Sequence, residues 1–526
     1  MLNKILLALV AAVISATTAF AEEAEKTISQ SINDAVAPIT DFVSAIIFVE
    51  IPLDWLIDGA PGFPLIVAWL VGGAIFFTIY MGFPNIRAFR QSLRIVSGKY
   101  DDPDHPGEVT HFQALTAAVS GTVGLGNIAG VAIAVSVGGP GATFWMILAG
   151  FFGMTSKFVE CTLGLKYREI DENGVVTGGP MMYLSKGLAA RGLPNLGKIL
   201  AFLAAVICIG GAFGAGAMFQ VNQSSTQFTD VIVSLTGGET SLFYGRGWIY
   251  GVLFAGFVGL VIIGGIRQIT HVTEFLVPIM AFVYISAAIV VLIAHVADIP
   301  AAIGQIISGA FSAEGMQGGF IGVLIQGLRR ASFSNEAGIG SASIAHSAAK
   351  TNEPVAEGLV AVLEPFIDTV VICTLTALVI IVTGSFDPNA SGTGEGIALT
   401  SRAFASVVDW FPYVLTVAVV MFAFSTSITW FYYGQRSFLY LVGNKPNADL
   451  AFKASYLFVL VIGSAMALGP VVDIADALLL GMGFPNILGL FLLRKEVKEM
   501  LKSYLTRVKA GEIVPYKGKT ASQTAG

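Results

Sequence analysis

Charge is what this chain has least of. Of its 526 residues, 29 are Lys or Arg and 35 are Asp or Glu, so 12% are charged, about half of the roughly 25% usual in soluble proteins. That is too little to cover a folded surface with polar groups, which argues against a water-soluble enzyme. Histidine (5) and cysteine (3) are equally sparse. Cys161, Cys208 and Cys373 lie inside apolar runs, are odd in number and form no CxxC pair, which argues against a disulfide framework and against a zinc site. No HExxH occurs, so an embedded metallohydrolase has no signature here. The net charge of -6 gives no reason to expect nucleic acid as a partner.

What is present is hydrophobicity in long runs. Hydrophobic residues make up 55% of the chain and mean hydropathy is +0.77, so the solvent is largely lipid. In lipid only a helical bundle or a closed barrel satisfies every backbone group, and unbroken runs favour helices over ten-residue alternating strands. Apolar windows fall at about 64–85, 112–137, 142–165, 199–223, 247–265, 273–294, 318–343, 357–383, 412–433, 451–469 and 471–493. The expected fold is therefore an all-α polytopic membrane protein with 11 transmembrane helices.

Residues 1–21 carry Lys4, an apolar stretch from Ile5 to Ile14, and Ala19-Phe20-Ala21 before two glutamates. This order of parts predicts a secretory signal peptide cleaved after Ala21, the alternative being an uncleaved first helix. Either way residues 22–63 start outside the cytoplasm, as one or two short surface helices. Eleven spans then bring the C-terminus inside. The positive-inside rule agrees: outer segments hold only Lys26, Arg246 and Arg402, whereas Arg87, Arg90, Arg94, Lys99 and the basic tail 494–526 are inner. The expected location is the bacterial cytoplasmic (inner) membrane.

Two windows are not continuous helices. The second contains Ser120-Gly121-Thr122-Val123-Gly124-Leu125-Gly126-Asn127-Ile128-Ala129-Gly130, and the seventh contains Ser332-Phe333-Ser334-Asn335-Glu336-Ala337-Gly338-Ile339-Gly340-Ser341. Each interior Gly costs about 1 kcal/mol of helix stability, and buried Asn or Glu needs partners. Close helix packing explains glycines alone, but not glycines that flank an amide and an acid in two places. With 64–85 set aside as an accessory helix, the broken windows open two groups of five, 112–294 and 318–493. An odd group size inverts the second group, and paired Gly-interrupted spans point to an inverted-repeat transporter with its site at mid-membrane. Half-helix N-termini suit a carboxylate, and unwound carbonyls suit a hard cation such as Na⁺.

These motifs, with Gly138-Gly139-Pro140-Gly141-Ala142-Thr143-Phe144-Trp145-Met146, Ala345-His346, Phe366-Ile367-Asp368-Thr369 and Trp430-Phe431-Tyr432-Tyr433-Gly434, resemble the alanine or glycine:cation symporter family. Leu125 departs from it, the family usually having Thr there. The family is in turn similar to the leucine-transporter type of inverted-repeat fold. That resemblance implies one sodium site from the Val123 carbonyl, Thr426 and Ser427, with Asn127 and Ser334 at a second sodium ion or at the substrate. It implies a substrate site formed by Thr122, Gly124, Gly126, Asn127, Gln220, Ser334, Gly338 and Trp430, for alanine or glycine. The Trp430 ring would set the size limit there, its alternative role being an interfacial belt residue.

Acids inside spans are functional candidates. Glu336 is expected to bridge backbone N–H groups of the broken turn. Glu364 and Asp368, four apart, are expected on one helix face, holding a proton or ordering water. Lys157 and Glu160 read as a pair near the inner surface, and Asp473 and Asp476 as boundary residues. The expected activity is Na⁺-coupled symport of a small neutral amino acid into the cell, with Na⁺ as coupling ion, no organic cofactor, and membrane lipids as surroundings. H⁺-coupled symport is the alternative, and a channel or sensor on the same bundle another. A channel would need a repeated filter or a charged ring, and neither is evident.

Overall fold

The computed structural model describes residues 25–53, 61–312, 319–386 and 395–516. The expected signal peptide, 1–21, lies outside the described residues. Apart from two two-stranded ribbons, Glu50–Ile51 with Phe63–Pro64 and Glu169–Ile170 with Val176–Thr177, the regular structure is helical.

The N-terminal segment is one helix, α1 (Glu25–Ile47), longer than expected and interrupted by Pro38 without ending there. The accessory window is α2 (Leu65–Met81), closed by Gly82 in the left-handed conformation. After short helical turns at Pro84–Arg87, Phe89–Arg94 and Ile95–Lys99 comes α3 (His111–Thr122), whose first turn is fixed by a capping box between Thr110 and Gln113. It is followed by α4 (Gly126–Gly138), bent 49° from α3, and α5 (Ala142–Lys166). Then follow α6 (Pro194–Leu235), α7 (Gly247–Ile262), α8 (Gly265–Ala294) and α9 (Ile299–Ala310). The seventh window holds α10 (Gly319–Asn335) and α11 (Ala342–His346). The chain continues through α12 (Pro354–Val382), α13 (Ile397–Ala405), α14 (Phe411–Val442), α15 (Pro446–Gly463) and α16 (Leu468–Ala510).

Every apolar window thus carries a helix. Among the described residues six are long and apolar enough to cross a membrane, and α3 with α4 make a seventh across their bend. Two windows were drawn too short. α6 extends well past 199–223, and α16 carries the start of the basic tail as helix to Ala510, with Val497, Leu501 and Tyr504 buried. Arg507 there holds Glu353 through both carboxylate oxygens, at 2.7 and 2.6 Å.

The centre of the bundle is α5, which packs against α2, α10, α11 and α12. Small residues along it set the spacing. A Cβ on Gly150 would lie 2.8 Å from Thr369 of α12, and one on Gly153 would lie 2.9 Å from Ala337 in the α10–α11 break. At the start of α5, a Cβ on Gly141 would overlap the backbone of Gly309 in α9, where no side chain can swing aside. Gly141→Val is therefore expected to cost about 1–3 kcal/mol, read as a lowered thermal midpoint in detergent. Gly256→Val, which meets nothing within 4 Å, should leave the midpoint unchanged.

Candidate functional site

Between α3 and α4 the backbone leaves the helix at Val123 and re-enters through a π-helical turn, Gly126–Gly130. Two side chains take over the amides that the break frees. Asn127 Oδ1 accepts from Gly124 N at 2.9 Å, and Gln220 Oε1 accepts from Leu125 N at 3.1 Å. The Val123 carbonyl accepts no hydrogen bond among the described residues. Thr426 of α14 presses on the same turn: a Cβ at position 124 would overlap its hydroxyl oxygen. That hydroxyl donates to the Ser120 carbonyl at 2.9 Å.

The α10–α11 break spans Glu336 to Ser341. Glu336 has φ 56, Gly338 φ 88 and Gly340 φ 89, and the left-handed acid is held by its side chain rather than by backbone preference. Its carboxylate accepts from Trp430 Nε1 at 3.0 Å and from Ser341 Oγ at 2.5 Å. The expectation that Glu336 bridges backbone N–H groups is corrected here. The Gly340 amide is taken by Glu160 instead, at 3.1 Å.

Asp368 joins the two breaks. It lies in a π-helical turn of α12, Phe366–Cys373, and such turns recur at functional sites because the widened turn re-aims side chains. Asn127 Nδ2 donates to Oδ1 at 2.5 Å, while Ser334 Oγ and Thr369 Oγ1 donate to Oδ2 at 2.8 and 2.6 Å. The carboxylate is fully buried, yet among the described residues no Lys, Arg or His nitrogen lies within 4.0 Å of it.

The structure therefore gathers Gly124, Gln220 and Thr426 at one point, and Gly126, Asn127, Ser334 and Asp368 at another. A Cβ on Gly126 would be 3.6 Å from Ser334 Cα. Trp430 is buried, not interfacial, and its indole N–H also faces the Gly121 carbonyl at 3.3 Å. Three expected residues face elsewhere. Thr122 bonds back to Ala118 and Val119 of its own helix, and Ser427 donates to the Gly216 carbonyl of α6 at 2.9 Å. Gly338 is turned toward Ile487 and Leu70, so its missing side chain admits α16 and α2.

Other charged groups lie deeper than their sequence suggested. Glu364 and Asp368 have different partners: Glu364 pairs with Lys157 at 3.2 Å and with His346 Nε2 at 2.5 Å, and the helix changes to a π-turn at Phe366, after Glu364 and before Asp368. Lys157 and Glu160, expected near the surface, are fully buried. His346 Nδ1 meets Glu357 at 2.5 Å, and the other Glu357 oxygen meets His111 Nδ1. Cys161 approaches His346 and Glu364, but both imidazole nitrogens are taken by carboxylates, so ion pairing rather than metal ligation describes the group. Asp476, expected at a boundary, is buried and paired with Arg329 and Arg330 of α10. The signal that could have found these groups is simple: His346, Glu357, Arg329 and Arg330 are ionisable residues in or beside apolar windows.

The sequence profile of the Sodium:alanine symporter family matches residues 52–517. The sodium/alanine symporter AgcS of Methanococcus maripaludis is 39% identical over 442 residues, covering 84% of this chain and 94% of that protein. The amino-acid carrier protein AlsT of Bacillus subtilis is 32% identical, covering 86% and 91%. In fold, the chain resembles the crystal structure of MhsT in complex with L-phenylalanine, with a TM-score of 0.52 at 14% identity, covering 76% of this chain and 99% of that one. Both helix breaks and the carboxylate between them fall inside the matched profile. The chain belongs to the sodium:alanine symporter family, whose members are multi-pass membrane carriers of amino acids and not enzymes.

Proposed function

We propose that this protein couples inward movement of Na⁺ to uptake of alanine or glycine by alternating access. The reading includes eleven spans, an accessory α2 with a five-plus-five inverted core, and an N-terminus outside and C-terminus inside. The observation that carries it is Asp368, a buried carboxylate with three hydrogen-bond donors and no cationic side chain within 4.0 Å among the described residues. A buried charge of that kind is costly unless a cation joins it. Ser334 supplies a hydroxyl oxygen beside it, Asn127 would offer its own oxygen only after turning its amide away from Gly124 N, and the Val123 carbonyl with Thr426 supplies a second cation position. Ser427 completes that second position once its hydroxyl leaves Gly216.

The substrate fits between the breaks. Gln220 Oε1 occupies the place on Leu125 N that a substrate carboxylate oxygen would take, at the N-terminus of α4. Trp430, whose ring packs directly on Gly211 and Gly216, is a bulky wall that limits the substrate side chain to about a methyl. The name of AgcS, a sodium/alanine symporter, supports the same cargo. The driving force is adequate. A potential of 100 mV gives about 2.3 kcal/mol per charge and a tenfold sodium gradient about 1.4 kcal/mol. Together these sustain roughly 500-fold accumulation with one ion per substrate.

In proteoliposomes, labelled alanine and glycine are expected to accumulate with an inward Na⁺ gradient; accumulation no greater than without it ends this reading. A proton could neutralise Asp368 as well, so uptake driven by acid pH without Na⁺ would replace Na⁺ with H⁺. Thr426→Ala should raise the half-saturating Na⁺ concentration about tenfold, the value of one ligand at roughly 1.4 kcal/mol. Thr426→Ser should stay near wild type. An unchanged sodium dependence in Thr426→Ala removes Thr426 from the site.

A further inference from the structure

A chain of buried ionisable side chains runs from the end of α3 to the α10–α11 break, and the transport reading does not use it. His111 opens it; Glu357, His346, Glu364, Lys157 and Glu160 follow in order, each in contact with the next. All six are at most 1% exposed. At one end His111 Nε2 lies 4.0 Å from Asp101, whose side chain is 28% exposed. At the other, Glu160 holds the Gly340 amide and Asn486, and Asn486 holds the Gly338 carbonyl at 2.8 Å.

The geometry at His346 fixes a proton count. A neutral imidazole has one N–H and one lone pair. Here both ring nitrogens meet carboxylate oxygens, at 2.5 Å each, and an ionised carboxylate only accepts. Both contacts are satisfied only when the unit carries one proton beyond neutral histidine and two carboxylates. We propose that His346 with Glu357 and Glu364 is a proton-binding site reached from the cytoplasm through His111 and Asp101, and that release of its proton to water there opens the inner side of the transporter. The inference rests on the orientation and transport reading proposed above.

The surrounding groups set the sign. From α5 come Lys157, Glu160 and Cys161, and just past its end Arg168, which donates to the carbonyls of Ser347, Ala349 and Thr351 beyond α11. From the break comes Glu336, the further acid facing Lys157, and the Tyr183 and Tyr433 hydroxyls face these acids. With the proton present, imidazolium and Lys157 hold Glu357 and Glu364, and α11 stays against α12. Without it, one imidazole lone pair faces a carboxylate, and Lys157, which touches Glu364 and Glu160 but not Glu357, is, among the described residues, the one lysine left against three acids, a repulsive arrangement in a dry site. The short α11, which also packs against α5 and α3 and is followed by the carbonyls that Arg168 holds, then loses its ion pairs to α12 and separates from it, and its movement reaches Gly340 through Glu160. An acid cytoplasm therefore slows release and an alkaline one speeds it.

The test is sodium-driven alanine uptake into oriented proteoliposomes with clamped potential and fixed external pH, the internal pH being varied from about 6 to about 9. The wild-type initial rate is expected to rise severalfold across that range. His346→Gln, which keeps one donor and one acceptor but cannot take the extra proton, should give a flat profile. If that variant does not insert, Glu364→Gln, which supplies its own N–H, should be flat in its place. A flat wild-type profile, or a wild-type slope in the variant, overturns the inference alone. Absence of sodium-driven uptake at every internal pH overturns the symport reading, and this inference with it.

Discussion

Replacing Asp368 with alanine is expected to abolish sodium-driven uptake. The substitution removes the carboxylate on which Asn127, Ser334 and Thr369 converge, leaving Asn127 and Ser334 only the weak Cys373 sulfur and, for Asn127, the backbone carbonyl of residue 368, at up to about 1–3 kcal/mol for each donor left unpaired, so part of the loss would come from instability. Asp368→Asn separates the two effects. An amide can accept from Asn127 through its oxygen and donate to the hydroxyls of Ser334 and Thr369, which turn to accept. The fold should then survive with its thermal midpoint nearly unchanged, while the charge that draws in a cation is gone. Uptake by Asp368→Asn with an unaltered sodium requirement would exclude Asp368 from the ion site. Asp368→Glu should also fail, since one extra methylene must fit between three packed elements.

The reason Asp368 could be singled out from sequence, but not understood from it, shows where sequence reading stops. The breaks at 123–126 and 336–341 were legible because their cause is local. Glycines and polar residues inside an apolar window cannot propagate a helix in lipid, whatever lies nearby. The apolar windows were legible for the same reason. Partners across space were not. Asn127 and Asp368 are 241 residues apart, and His111 and Glu357 246 apart. The four-residue spacing of Glu364 and Asp368 was misleading because regular α-helical spacing ends at Phe366, where the π-turn that holds Asp368 begins, and such a turn leaves no composition signal. Gly338 looked like a substrate contact beside Gly340, but what it makes room for is α2 and α16, elements more than a hundred residues away. Lys157 and Glu160 read as a local pair because three residues is helical spacing. Their burial depends on α12 covering them, and no window around position 157 contains that information.

Trp430 offers the second large effect. Its ring fills the space beside Gly216, where a Cβ would overlap it, and stands 5.4 Å from the Tyr433 ring in an edge-on contact. Its N–H is one of two donors on the Glu336 carboxylate. Trp430→Ala removes both functions and is expected to cost about 3–5 kcal/mol, with a correspondingly lower thermal midpoint. The space it opens should let valine compete with alanine for uptake, which the wild type should resist. Trp430→Phe keeps most of the bulk and loses only the N–H, so selectivity should hold while stability falls by about 1.5–3 kcal/mol, the value of a hydrogen bond to a charged group. The pair of variants divides the two roles of the ring. Relaxed selectivity in Trp430→Ala alone identifies Trp430 as the wall of the substrate pocket. If both variants lose stability and neither admits valine, Trp430 is a support for Glu336 and the broken turn, and the size limit lies with other residues.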